Sequence, residues 1–227
     1  MNQREHGGDI DKAAFSFGYD ADEMLDLSTG ISPIAYPAGD IPASAWNRLP
    51  SQTQLDKCLA AARRAYAVPD HLEIVAGSGS QSLLQFIPHL VAPNGPVFIE
   101  HPTYNEHQPA WEAAGHQTLS NVEDVNVQHD CNSYVFVAPN NPTGDDDRVR
   151  IKLAAQRCAS AGGLVLIDGA FALPKAADPN NTSLIESLVN QPHVIHLRSF
   201  GKFFGMAGLR LGFAIGEPEL ISRLSQN

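Results

Sequence analysis

Lysine is scarce in this chain, with five among 227 residues, so a lysine in an unusual setting stands out at once. Cysteine is scarcer still. Cys58, Cys131 and Cys158 lie far apart with no Cys-x-x-Cys pair, which argues against a disulfide framework or a thiolate metal site. They read as reduced thiols of a cytosolic protein, and no metal is expected. No stretch approaches the ~18 apolar residues that a membrane span needs, and the opening Met1–Asp9 is polar, without an apolar signal core. Basic charge is also in deficit. Fifteen Lys and Arg against 25 Asp and Glu leave a net charge of −10, which argues against a nucleic-acid surface. Charged residues make up only 18% and hydrophobic ones 43%, enough to bury a core and too apolar for disorder. The expectation is a soluble cytoplasmic protein with one large domain, or one plus a fragment, bound to neither membrane nor nucleic acid.

Short apolar runs alternate with helical patterns along most of the chain. Six runs read as strands: Leu72–Ala76, Pro96–Glu100, Tyr134–Ala138, Leu164–Asp168, Val194–Arg198 and Leu211–Ile215. Between them, Leu55, Leu59, Ala62 and Tyr66 form one helical stripe, and Leu83, Leu84, Ile87 and Leu90 another. Arg148–Ala161 is a third helical segment, stopped by Gly162-Gly163. Strands joined through helices of this length predict an α/β fold, with a mostly parallel sheet covered on both faces. Residues 1–50 differ, because Pro33, Pro37, Pro42 and Pro50 break them into loops and short pieces. They read as an N-terminal arm or part of a second, small domain, leaving 51–227 as the large domain.

In such sheets ligands bind beyond the carboxyl ends of the strands, and what stands there forms a coherent set. Gly77-Ser78-Gly79-Ser80 precedes a helix, so the Ser78 and Gly79 amides suit an anion, although the same turn serves as an ordinary cap. Tyr104 follows the second strand, as a ring for stacking or for plain packing. Asn141 stands in a rigid Pro139–Gly144 turn that turn chemistry alone could explain. Asp168 closes an apolar strand, where a carboxylate needs a cation, several donors, or a capping role. Lys202 follows Ser199 among aromatics and glycines, with Arg210 eight residues on. A lysine there has a depressed pKa, an anionic or covalent partner, or snorkels to the surface. Taken in this order, the set describes a phosphorylated aromatic aldehyde. Pyridoxal 5'-phosphate needs a lysine, a carboxylate at its ring nitrogen, a donor to its ring oxygen, a stacking face and a phosphate cup.

Asn141-Pro142-Thr143-Gly144, Asp168-x-Ala170-Phe171, Ser199-x-x-Lys202 and Gly208-Leu209-Arg210-x-Gly212 resemble the signature of fold-type I pyridoxal-phosphate enzymes, within them the class II aminotransferase group. His6-Gly7-Gly8-Asp9, the Leu27–Pro33 run and Leu49-Pro50 resemble its cobalamin-pathway branch, which contains the threonine-phosphate decarboxylases. The resemblance implies that Lys202 is catalytic, holding the cofactor covalently and later carrying a proton. It implies that Asp168 holds the ring nitrogen, Asn141 the ring oxygen O3′ and Tyr104 the ring face. Ser78, Gly79, Ser199 and Arg210 would take the phosphate, and His6 and Gly30 would contact substrate. It further implies a homodimer.

The implied activity is decarboxylation of L-threonine O-3-phosphate to (R)-1-aminopropan-2-yl phosphate for cobalamin biosynthesis. Alternatives are a histidinol-phosphate-type aminotransferase, which shares the cofactor residues, or an inactive shortened member. Phe171 stands where the aminotransferases commonly carry tyrosine, and suits the decarboxylase branch. Two departures from the family pattern are small: Gly169 stands where an acidic residue is usual, and Ala138 where asparagine is. The third is larger. The resemblance places a C-terminal small domain, with an arginine for the substrate carboxylate, beyond Asn227.

Overall fold

A computed structural model of the chain describes residues 7–120, 131–175, 177–178 and 183–226. Seven strands form one sheet among them: β1 (Glu73–Gly77), β2 (Val97–Ile99), β3 (Thr118–Leu119), β4 (Ser133–Val137), β5 (Val165–Asp168), β6 (Val194–Ser199) and β7 (Gly212–Gly216). Their spatial order is β1-β7-β6-β5-β4-β2-β3. Every neighbouring pair from β6 outward to β3 is parallel, and β7 runs antiparallel to both β6 and β1. All six strands expected from the apolar runs are present, with ends that differ by no more than one residue. The two-residue β3 carries too little pattern to be read from sequence.

The helices in chain order are α1 (Ile10–Phe17), α2 (Ser44–Asn47), α3 (Gln52–Ala65), α4 (Ser80–Phe86), α5 (His107–Ala113), α6 (Arg148–Ala161), α7 (Leu184–Ser187), α8 (Phe200–Phe203) and α9 (Pro218–Leu224). Their ends follow local chemistry. Ser51 and Gln54 make a capping box on α3. The Asp147 side chain accepts from Arg150 N at the start of α6, and Gly162, at φ 67°, ends it in the left-handed conformation that glycine adopts freely.

The central strands alternate between two packed faces. Leu164, Leu166, Ile195 and Leu197 pack with Leu84 of α4, Trp111 of α5 and Leu220 of α9. Val165 and Ile167 join Ile151 and Ala155 of α6 on the other face, where Phe213 and Ile215 meet Tyr66 and Ile185 beside α3 and α7. Burial on both faces is why these strands read as continuous apolar runs. Each such side chain contributes roughly 1.5–3 kcal/mol on burial.

The arm contains more regular structure than its prolines suggest. All four prolines lie after α1, whose Asp9 side chain accepts from Lys12 N and whose stop is Gly18 at φ 72°. Beyond it the arm is laid across the end of α8. Ser32 N donates to Lys202 O at 2.9 Å and Tyr36 N to Phe204 O at 2.8 Å.

Candidate active site

The sheet's register brings distant sequence together. Gly77 on β1 pairs with Gly212 on β7, and Gly212 pairs in turn with Ser199 on β6. The loop into α4, the end of β6 and the segment preceding β7 therefore share one edge. Gly212 has no room for a side chain, since a Cβ there would lie 2.2 Å from Ser80 N. The guanidinium of Arg210 lies over Gly79, where an added Cβ would come within 3.0 Å of Nη2, and Gly79 itself has φ 84°. The Gly79 amide donates to Gly77 O at 2.8 Å, so it already has a partner in the turn. The orphan N–H groups expected at this helix start belong to Ser80 and Gln81. Arg210, Ser199 and the opening turn of α4 thus converge on a small, positively biased cup.

Asp168 ends β5 and is 4% exposed. Its Oδ1 accepts from Ala170 N at 2.9 Å, and its Oδ2 lies 3.1 Å from Nε2 of the fully buried His107 on α5. Sequence reading passed over His107. Its position three residues after Tyr104, on the helix leaving the second strand, was the available signal. Removing a buried hydrogen-bond partner of this kind costs about 1–3 kcal/mol.

Lys202, on α8, has its Nζ 4.8 Å from the centre of the Phe171 ring. Burial pushes its ammonium below the ordinary lysine range; Asp168 opposes that shift and Arg210 adds to it. The lysine, the carboxylate and the arginine are therefore within electrostatic reach of one another. A lysine shifted downward is more readily the free amine that a carbonyl carbon requires.

The remaining expected residues fall around this centre. Tyr104 is partly exposed, its ring edge-on to His107 at 5.9 Å. Asn141 is exposed on a turn pinned by its buried neighbour Asn140, which accepts from Thr103 Oγ1 at 2.7 Å and donates to Pro102 O and Thr143 Oγ1. Gly30 packs on Phe171, and a Cβ there would lie 2.3 Å from the ring. His6 lies outside the described residues. Its neighbours Gly7 and Gly8 rest on the Ser28-Thr29 turn, with Gly8 N donating to Ser28 Oγ at 2.8 Å, so the two arm motifs meet beside Gly30. At Gly169 a side chain would collide with Nη1 of the buried Arg198, 2.1 Å from the ideal Cβ.

These residues fit pyridoxal phosphate on the chemistry of the donor set alone: an amine, a buried carboxylate braced by histidine, and a glycine cradle under an arginine. Comparison with known proteins agrees. Residues 47–227 match the family described as aminotransferase class I and II. The chain is 40% identical over 223 residues to a threonine-phosphate decarboxylase of Sinorhizobium sp., covering 96% of this chain and 64% of that one. It is 38% identical to the threonine-phosphate decarboxylase of Pseudomonas aeruginosa, covering 98% and 65%. The solved histidinol-phosphate aminotransferase from Clostridium acetobutylicum superposes with a TM-score of 0.68 at 19% identity, over 89% of this chain and 64% of that one. The chain thus spans a little under two thirds of the length of the relatives it matches. It belongs to the aminotransferase class I and II family, a family of pyridoxal-phosphate-dependent enzymes.

Proposed function

We propose that this chain carries the cofactor-binding part of a threonine-phosphate decarboxylase. The observation that carries this reading is the 38–40% identity to two threonine-phosphate decarboxylases over nearly the whole chain. The reaction would release carbon dioxide from L-threonine O-3-phosphate and leave (R)-1-aminopropan-2-yl phosphate, a step serving cobalamin biosynthesis. The assembly would be a cytoplasmic homodimer. In it residues 1–50 form the arm and 51–227 the large domain.

When bound, pyridoxal phosphate supplies an electron sink for the pair released as a bond to the substrate's α-carbon breaks. The protein's tasks are binding, orientation and proton handling. Lys202 Nζ would hold the cofactor's aldehyde carbon and later carry a proton to or from the α-carbon. Asp168 would keep the ring nitrogen protonated, with His107 fixing its carboxylate plane. Asn141 would donate to the ring oxygen and Tyr104 would cover the ring. Ser199, Arg210 and the turn that leads from Ser78 into α4 would hold the phosphate. Phe171 brings no hydroxyl to the space beside Lys202 and so gives no donor to the ring oxygen. His6 and Gly30 would meet the substrate from the arm side.

A histidinol-phosphate aminotransferase is the second reading, favoured by the superposition on such an enzyme. It would use the same cofactor residues. Absorption titration with pyridoxal phosphate, followed by product analysis with threonine phosphate, tests both. The expected result is a visible band that is lost in Lys202→Ala, with carbon dioxide released from substrate. A band that survives in Lys202→Ala overturns the site assignment. An oxo product without carbon dioxide overturns decarboxylation in favour of transamination.

A further inference from the structure

Three parts of the fold meet at one amide that the cofactor assignment leaves unused. Gln81 sits in the first turn of α4, beside the anion cup. Its Oε1 accepts from the Tyr104 hydroxyl at 3.1 Å, and its Nε2 donates to Glu106 Oε2 at 3.0 Å. Glu106 is 5% exposed and immediately precedes α5, whose first residue is His107. His107 in turn meets Asp168. The chain of contacts therefore runs from the α4 turn through Gln81 to the stacking ring, and through Glu106 to the helix that braces the buried carboxylate.

The residue type is specific to this geometry. A phenol needs an acceptor and a buried carboxylate needs a donor, and a primary amide offers both on one rigid plane. Glutamate in its place would set a second carboxylate against Glu106, and leucine would serve neither partner. A buried carboxylate that loses a donor is costly. The two partners also fix which way the amide faces, so Gln81 has one productive orientation.

We propose that Gln81 is a positioning residue for the cofactor site: it locks the Tyr104 ring and ties the start of α5 to the anion cup on α4. This rests on the pyridoxal-phosphate reading above. It predicts that ring stacking and phosphate binding are coupled through a side chain that touches neither reacting atom.

The test uses Gln81→Leu, Gln81→Glu, Tyr104→Phe and the double variant Gln81→Leu/Tyr104→Phe. Pyridoxal phosphate is titrated by absorption, and amide hydrogen exchange of residues 107–113 is measured on the cofactor-free chain. Gln81→Leu is expected to weaken the cofactor about tenfold, the worth of one hydrogen bond to a charged or aromatic partner, and to speed exchange in α5. Gln81→Glu should weaken it further at neutral pH and recover towards acid pH, as one of the facing carboxylates takes a proton. The double variant should be no worse than Gln81→Leu, because both single changes break the same link. Unchanged affinity with unchanged α5 exchange, or additive losses in the double variant, overturns the inference. If Gln81→Leu does not fold, Tyr104→Phe removes one oxygen and still reads the link. If the parent chain binds no cofactor, the proposed function fails, while α5 exchange in the cofactor-free variants still decides whether Gln81 holds that helix.

Discussion

His196 is a buried histidine with no job in the site. It lies on β6, 2% exposed, with Nδ1 lacking a hydrogen-bond partner among the described residues, and burial together with the Arg198 charge pushes its pKa from 6.5 down to about 3. The folded chain therefore keeps it neutral where the unfolded chain takes up a proton. Its contribution is fully present above pH 6.5 and is lost as pH falls towards 3, at about 1.4 kcal/mol per pH unit for one proton. Between pH 7 and pH 5 this amounts to about 2 kcal/mol, so in urea unfolding His196→Leu should lose about 2 kcal/mol less than the parent over that interval. An unchanged slope would mean that His196 protonates in place. At this scale the sequence was informative where chemistry is intrinsic to the residue. Lys202, Asp168 and Arg210 could be singled out because a lysine among aromatics or a carboxylate ending an apolar strand is costly on its face. His107 and Gln81 could not. Their roles come from partners 61 and 25 residues away, and nothing local marks a histidine or glutamine as already spoken for.

Elements carry the next level, and the arm's path over α8 is the feature that composition least suggested. Gly205 follows α8 at φ 62°, and a Cβ there would come within 2.8 Å of Ala35 Cα, Ile34 O and Ser32 O. The contacts are backbone, so they cannot yield cheaply. Gly205→Ala is expected to cost at least about 1–2 kcal/mol from the positive φ and the clash together. It should also loosen Lys202, whose carbonyl receives the Ser32 amide. Chemical denaturation reads the first effect, and cofactor titration the second; a variant with parental values in both would detach the arm from the site. The strands and α6 were legible because burial on two faces, or a cap at each end, leaves a local pattern. The arm's path after α1 was not, because what anchors it over α8 is main-chain bonding that no side-chain pattern records.

Across the whole molecule the arm leaves an unusual surface. Phe15, Leu25, Leu27 and Leu49 are 80–93% exposed, bare apolar side chains of the kind that association covers. The proposed homodimer is expected to cover it. Sedimentation equilibrium should find a dimer, and replacing Leu27 and Leu49 by Ser should weaken association about tenfold or more. A monomer at every concentration would remove the homodimer from the proposal. Among the described residues no helix is long and apolar enough to cross a membrane.

The position of β7 has a consequence for how the chain comes into being. Among the described residues it comes last of the strands in sequence but lies inside the sheet, between β6 and β1. Until residues 212–216 arrive, β1 has no neighbour on the sheet, and the Gly77 turn has nothing to close against. Binding can favour only the state that possesses the site. On the ribosome, affinity for an anion at this edge would therefore switch on abruptly, once β7 has slotted between its two partners. The appearance of cofactor binding in stalled nascent chains of increasing length would time the completion of the sheet.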